Sequence, residues 1–322
     1  MSEFAAAFDH VSRLVDAEIL PTAVLGIASA DGVLALDAFG QTAGRKMRVE
    51  DHYRLFSVTK PLVGLVAARA VEQGRLSLST PLTHALPGFG TGRDDVVRLR
   101  HLASHTSGIT ETPLGSPEPL LASLVRAGRD FPAGTLRRYS SLAFEGIAAL
   151  FENATGRTWE TELADIGSAV GASFTLEEDS HPTPVLDLPD FDFTRFAALR
   201  HPGAGVISDA GSLLALATSL LKGDGAVVRP ATLEWMRRPL TVGITQQDPD
   251  PLTVGEEYGF TWKLRDGAAG LIERDVFGHS GWSGTQLWFH PHSGIAWVLL
   301  TNRELAPGFD LDALDNVVTS GL

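Results

Sequence analysis

A chain of 322 residues with 39 acidic and 26 basic side chains carries a formal charge of −13, which leaves no basic face for nucleic acid or an anionic membrane. It has no cysteine, so disulfides, thiolate metal sites and thiol catalysis are excluded. No run approaches the ~18 apolar residues of a membrane-spanning helix. The first ten residues lack a basic segment followed by an apolar one, which makes a cytoplasmic location the default expectation.

In chain order, Phe4, Ala7, Phe8, Val11, Leu14 and Val15 recur at helical spacing over residues 3–17. Residues 24–30 and 33–39 are β-prone runs separated by Asp31-Gly32, a hairpin signal. Residues 58–73 are apolar nearly all round, with Pro61 in the first turn and Gly74 at the stop, which predicts a buried helix. Helices and loops follow, the clearest helical runs being 142–155, with Ser141 as its expected N-cap, and 211–221. Strand patterns return at 258–264, 271–278, 285–290 and 295–301, before a helix at 310–319.

Strands thus come from both ends and helices from the middle. The expected class is α+β: an antiparallel five-stranded sheet flanked by terminal helices. Residues 1–74 and 257–322 form an α/β lobe, 75–256 a mainly helical lobe, and a ligand cleft lies between them. The loop 177–194 holds six acids and no Lys or Arg, and 241–257 is polar and turn-rich. Both read as solvated connectors, the sharper alternative being that one overhangs the cleft and screens out anions.

Ser57-Val-Thr-Lys60 stands at the head of the buried helix, so its hydroxyl and amine share one face. The hydroxyl lies against the positive helix end, and a partly desolvated ammonium beside it loses its proton more easily. Such a pair can act as nucleophile and base. The same spelling at Ser219 and Lys222 precedes Gly223, where the lysine merely complements a negative helix end. Tyr139, just before Ser140-Ser141, brings a phenol able to relay protons. His101 to Ile109 lies at a helix-to-loop junction, and Phe277-Gly-His279-Ser280-Gly281-Trp282 joins two strands, its glycines letting a substrate approach the backbone.

Together with Arg75 to Leu82, Gly203 to Ser208 and Tyr258 to Trp262, these stretches resemble the serine β-lactamase and penicillin-binding-protein superfamily. The likeness is closest in style to class C β-lactamases and the esterases that share their fold, and it runs from about residue 20 to 302. The resemblance implies that Ser57 is the acylated nucleophile, Lys60 its partner base, and Tyr139 a relay or alternative base. It implies an oxyanion hole from the N–H groups of Ser57 and Trp282, with Ser141, His279, Ser280 and Gly281 meeting the substrate. Two departures stand out. His279 replaces the family's carboxylate-binding lysine, Ser141 replaces its asparagine, and no other obvious residue restores the anion site. Both point to a carboxylesterase on small acyl substrates. Acyl transfer, β-lactam hydrolysis or D-amino-acid amidase action follow as alternatives, and a non-catalytic scaffold is the remaining reading.

Other chemistries lack their motifs. No Gly-x-Ser-x-Gly occurs, and Leu102 stands where a zinc protease would need Glu between His101 and His105. His101, His105, His290 and His292 therefore read as surface residues, with His105 a candidate brace for the active-site loop. No cofactor or metal is expected.

Overall fold

Strands from the two ends of the sequence meet in the middle of one sheet in the computed structural model, which describes residues 3–247, 255–304 and 308–321. In chain order, α1 (Ala5–Asp16) leads into the hairpin β1 (Thr22–Ser29) and β2 (Gly32–Thr42), then the short strands β3 (Arg45–Lys46) and β4 (Tyr53–Arg54). Helix α2 (Thr59–Glu72) opens the helical stretch, with α3 (Leu99–Ala103), α4 (Leu120–Arg126), strand β5 (Leu136–Arg137) and α5 (Ala143–Thr155). It continues through α6 (Trp159–Val170), α7 (Phe193–Ala198), strand β6 (Ile207–Ser208), α8 (Ala210–Lys222), α9 (Pro230–Met236) and strand β7 (Thr245–Gln246). Strands β8 (Glu257–Tyr258), β9 (Lys263–Leu264), β10 (Phe277–Ser280), β11 (Gln286–His290) and β12 (Ile295–Leu300) rejoin the sheet before α10 (Leu311–Ser320).

The sheet runs β3-β2-β1-β12-β11-β10-β9-β8, every pairing antiparallel, with Val24 opposite Leu300 where the two ends join. It has eight strands, not five. All six strand-like runs enter it, Arg45–Lys46 adds a seventh strand, and the run read as a single strand at 258–264 becomes two by doubling back through Gly259 to Thr261. The reason is tertiary: a Cβ on Gly259 would lie 2.2 Å from the Met236 carbonyl oxygen, and Thr261 takes a positive φ of 66°. The strand expected at 271–278 is shorter and later, Phe277–Ser280.

Both faces of the sheet are covered, which is why β11 and β12 are buried throughout. On one face Leu25, Ile27, Trp297 and Leu299 pack with Val11 and Leu14 of α1 and Leu314 and Val318 of α10. On the other, Val24, Leu287, Phe289 and Val298 pack against the helices from the middle of the chain. Helix α2 is buried from Thr59 to Ala68, as its all-round apolar pattern requires. Gly64 lets the β8–β9 turn cross it, since a Cβ there would lie 1.8 Å from Thr261 Oγ1. Among the described residues, no helix is long and apolar enough to cross a membrane.

Candidate active site

Ser57 occupies a single 3-10 turn, Phe56–Val58, between β4 and α2. The chain enters it through Phe56 at a φ of 44°, a left-handed conformation that costs a bulky residue energy and turns Ser57 out at the helix mouth. Lys60, fully buried one turn on, has its Nζ 2.9 Å from Ser57 Oγ, 3.1 Å from Ser141 Oγ and 2.8 Å from the Gly203 carbonyl oxygen. A neutral amine has two hydrogens and one lone pair. It can donate to Gly203 and Ser141 while accepting the Ser57 hydroxyl hydrogen, so these three contacts suit a base as well as an ammonium. Burial brings the Lys60 pKa down to about 7; the Glu111 carboxylate works against that shift and Lys263 adds to it.

Tyr139 keeps 40% of its surface exposed on the cavity wall that it shares with Ser57. Burial raises the phenol above its ordinary range, and the Glu111 and Glu256 carboxylates push it further the same way. Its ring stacks on His105 with centroids 4.3 Å apart and lies 4.6 Å from Lys60 Nζ. His105 accepts the Ser140 N–H at Nδ1, 3.0 Å away, and so braces the loop that carries Tyr139. Ser141 does not cap α5. Leu142 stands at the N-cap position without a side-chain cap, Ser140 Oγ two residues earlier accepts the Ala143 N–H at 3.1 Å, and the Ser141 hydroxyl is turned to Lys60. The next donor, Leu142 N–H, goes to Glu111 at 3.0 Å.

On the sheet side, His279 is buried and neutral, its pKa held well below the usual imidazole value by burial and by Lys263 and Lys60. Its Nδ1 donates to the Ser280 carbonyl oxygen at 2.8 Å. The absence of a cation here is made good from a neighbouring strand, contrary to expectation. Lys263 on β9 brings its Nζ 3.1 Å from Ser280 Oγ, and Glu256 answers that charge at 3.2 Å. Gly281 lies on the cavity wall and also packs tightly on the chain behind it, where a Cβ would lie 2.3 Å from the Leu55 carbonyl oxygen. Thr285 Oγ1 donates to that same oxygen at 2.9 Å, so the β10–β11 turn is fastened to the strand entering Ser57. Trp282 follows on the rim, 37% exposed.

A cavity of about 600 Å³ gathers Ser57, Tyr139, Ser141, His279, Ser280, Gly281 and Trp282 on its walls, with Lys60 lying beneath Ser57. A second cavity of about 440 Å³ adjoins it, sharing Glu111, Tyr139 and Gln246. The sequence reading missed Glu111, Arg137, Glu256, Tyr258 and Lys263 on the first cavity's walls. Tyr258 and Lys263 lie in or just past a stretch already singled out, and Glu256 lies in the polar loop 241–257; Glu111 carried no local signal.

The loop 177–194 contributes no wall residue, and its Phe191 instead backs Trp282, ring centroids 5.8 Å apart. Of the loop 241–257, Gln246 and Glu256 line the cavity, while 248–254 lie outside the described residues. Among the four histidines expected at the surface, only His292 is exposed, and His101, His105 and His290 are buried.

The model of the family described as Beta-lactamase matches residues 8–319. Esterase EstB of Burkholderia gladioli is 28% identical over 81% of this chain and 79% of its own length. Penicillin-binding protein 4 of Amycolatopsis lactamdurans is 26% identical over 87% of this chain and 79% of its own. A penicillin-binding protein homolog from Caulobacter crescentus superposes with a TM-score of 0.82 at 19% identity, over 99% of this chain and 97% of that one. EstCE1, a hydrolase with promiscuous acyltransferase activity, gives 0.78 at 22% identity over 99% and 98%. At such identities these structures bear on the fold alone, a β-lactamase/transpeptidase-like α+β arrangement. The family match runs through every element that builds the cavity, from the Ser57 turn to the β10–β11 turn, and the chain belongs to the Beta-lactamase family of serine hydrolases.

Proposed function

We propose that this serine hydrolase cleaves small carboxylic esters through an acyl group carried on Ser57 Oγ. One observation carries the reading: Lys60 Nζ lies 2.9 Å from Ser57 Oγ with a pKa brought to about 7, so a proton acceptor is present at neutral pH. Lys60 takes the Ser57 proton as Oγ attacks the ester carbonyl. The N–H groups of Ser57 and Trp282 receive the developing oxyanion, each such donor being worth roughly 3–4 kcal/mol. The Lys60 proton then passes to the leaving alkoxide by way of the Tyr139 hydroxyl. A water molecule, giving up its proton along the same route, attacks the acyl carbon, and the carboxylic acid leaves with Ser57 restored. The raised Tyr139 pKa favours a phenol that stays protonated and relays, which leaves Lys60 as the base.

Uncharged esters suit the cavity better than carboxylates. Its two wall cations, Lys263 and Arg137, face three wall carboxylates, Glu111, Glu256 and Glu304, and Lys263 is already matched by Glu256 at 3.2 Å. The relatives' names point the same way for those proteins, one being an esterase. A panel of p-nitrophenyl esters of rising chain length, run beside a chromogenic cephalosporin, tests the reading. Short-ester turnover exceeds lactam turnover by orders of magnitude, and fluorophosphonate labelling disappears in Ser57→Ala. Faster lactam cleavage, or labelling that survives the substitution, rejects it.

A second reading, acyl transfer to an alcohol, is favoured by the adjoining cavity that shares Tyr139, because it offers a second space beside the relay. Adding simple alcohols during ester turnover separates the two: transfer yields a new ester, hydrolysis only acid.

A further inference from the structure

Glu111 stands on the loop after α3, where the two cavities meet, and lines both. Its carboxylate oxygens accept the Leu142 N–H at 3.0 and 3.4 Å. Leu142 directly follows Ser141, whose hydroxyl lies 3.1 Å from Lys60 Nζ. The opening donors of a helix have no partner within it and must be met from outside. Here Glu111 meets Leu142 and Ser140 Oγ meets Ala143; the Ala143 donor is the one a capping Ser141 would take, so Ser140 relieves it while Glu111 anchors the backbone directly after it. A serine in that place would ordinarily turn inward to cap its own helix.

We propose that Glu111 is a positioning residue for the ester hydrolysis: it anchors the backbone beside Ser141, whose hydroxyl faces Lys60, and sets a negative charge against the Lys60–Tyr139 pair. The assignment rests on the acyl-Ser57 reading above. Its electrostatic half has a definite sign. A carboxylate near Lys60 favours the protonated amine, and near Tyr139 it disfavours the phenolate; Glu111 does both. The other groups facing Lys60 are Lys263 from β9, which opposes Glu111, and Tyr139, His105, His201 and His279, which are uncharged at neutral pH. Among the described residues, Glu111 is the charge that counters burial and Lys263, and it keeps the amine basic enough to work at neutral pH.

Two substitutions separate the charge from the anchor. Glu111→Gln keeps an oxygen for the Leu142 N–H and removes the charge. The acid limb of its kcat/KM profile for a p-nitrophenyl ester moves down by about half to one pH unit, with the melting temperature held near that of the parent. The rate of fluorophosphonate labelling shifts over the same range. Glu111→Ala removes both functions, lowers the melting temperature and cuts kcat at every pH. An acid limb unmoved in Glu111→Gln, with Ser57-dependent turnover intact, overturns the proposal. Turnover that survives Ser57→Ala removes the acyl-serine reading itself, whatever the limb does.

Discussion

The Phe56 ring meets the Trp282 ring edge-on, with centroids 5.7 Å apart. One residue precedes the proposed nucleophile and the other carries the second proposed oxyanion N–H, so an aromatic contact spans the gap between the two donors. Phe196 stacks on the far side of Phe56 at 5.9 Å, and Phe191 meets Trp282 at 5.8 Å.

Truncating the two rings therefore has different effects. Phe56→Ala empties a fully buried site and is expected to lose about 3–5 kcal/mol of stability, read by urea denaturation. Trp282→Ala keeps its main-chain N–H. Its kcat on an acetyl ester stays within about tenfold of the parent, while KM rises for longer acyl chains that lose an apolar wall. A collapse of kcat as deep as that of Ser57→Ala would show that the indole does more than form a wall.

Neighbouring serines give a second contrast. Ser140→Ala removes the acceptor of the Ala143 N–H and is expected to cost about 1 kcal/mol, seen as a lower melting temperature with modest loss of turnover. Ser141→Ala leaves that acceptor in place and removes a Lys60 partner, so turnover drops while the melting temperature holds. Swapped outcomes would reverse the assignment of the two hydroxyls.

Activity rises with pH. The working form of Lys60 is the free amine, and its pKa of about 7 places the acid limb of kcat/KM there. Below that point the amine is protonated and cannot take the Ser57 hydrogen. Turnover that climbs as pH falls from 8 to 6 would rule out Lys60 as the base.

Stability falls with acid from about pH 6.5. Burial holds His201 at about 3 and His101 at about 4, and keeps His105 and His279 well below 6.5, so over that window the unfolded chain binds protons the folded one refuses. Glu145, raised to about 7 by burial, and Glu152, also raised by burial, act in the opposite sense, but four imidazoles outnumber them. Lys60 adds a loss of the same sign as pH falls from 10.5 to about 7. Urea midpoints at pH 7.5, 6 and 5 should decline in order; a level series would mean that these rings are not held neutral.

What the sequence revealed was what is local. A proline in a first turn and an apolar run fix where α2 starts, and helix geometry then sets Lys60 beside Ser57. Tyr139 and His279 were picked out by their loop settings and given roles by resemblance to family motifs, and both line the cavity. Tertiary contacts decided the rest. Lys263 lies on a two-residue strand, too short for any periodicity, aimed by a turn that fits only because Gly64 and Gly259 lack side chains. Ser140 and Ser141 are chemically alike, and a carboxylate on one distant loop and an amine on one distant helix tell them apart. The burial of His105 depends on Tyr139 and Tyr258 closing over it, at 4.3 and 4.6 Å.

The pairing of β1 with β12, Val24 against Leu300, has a consequence for biosynthesis. A nascent chain emerging from the ribosome displays one side of β1 as an open apolar edge until residue 300 is free of the exit tunnel. The β10–β11 turn that carries Trp282 likewise has no finished sheet to rest on before then. Such late, long-range closure is slow and exposes sticky surface meanwhile, so the yield of soluble protein should respond to chaperone supply more strongly than its final stability suggests.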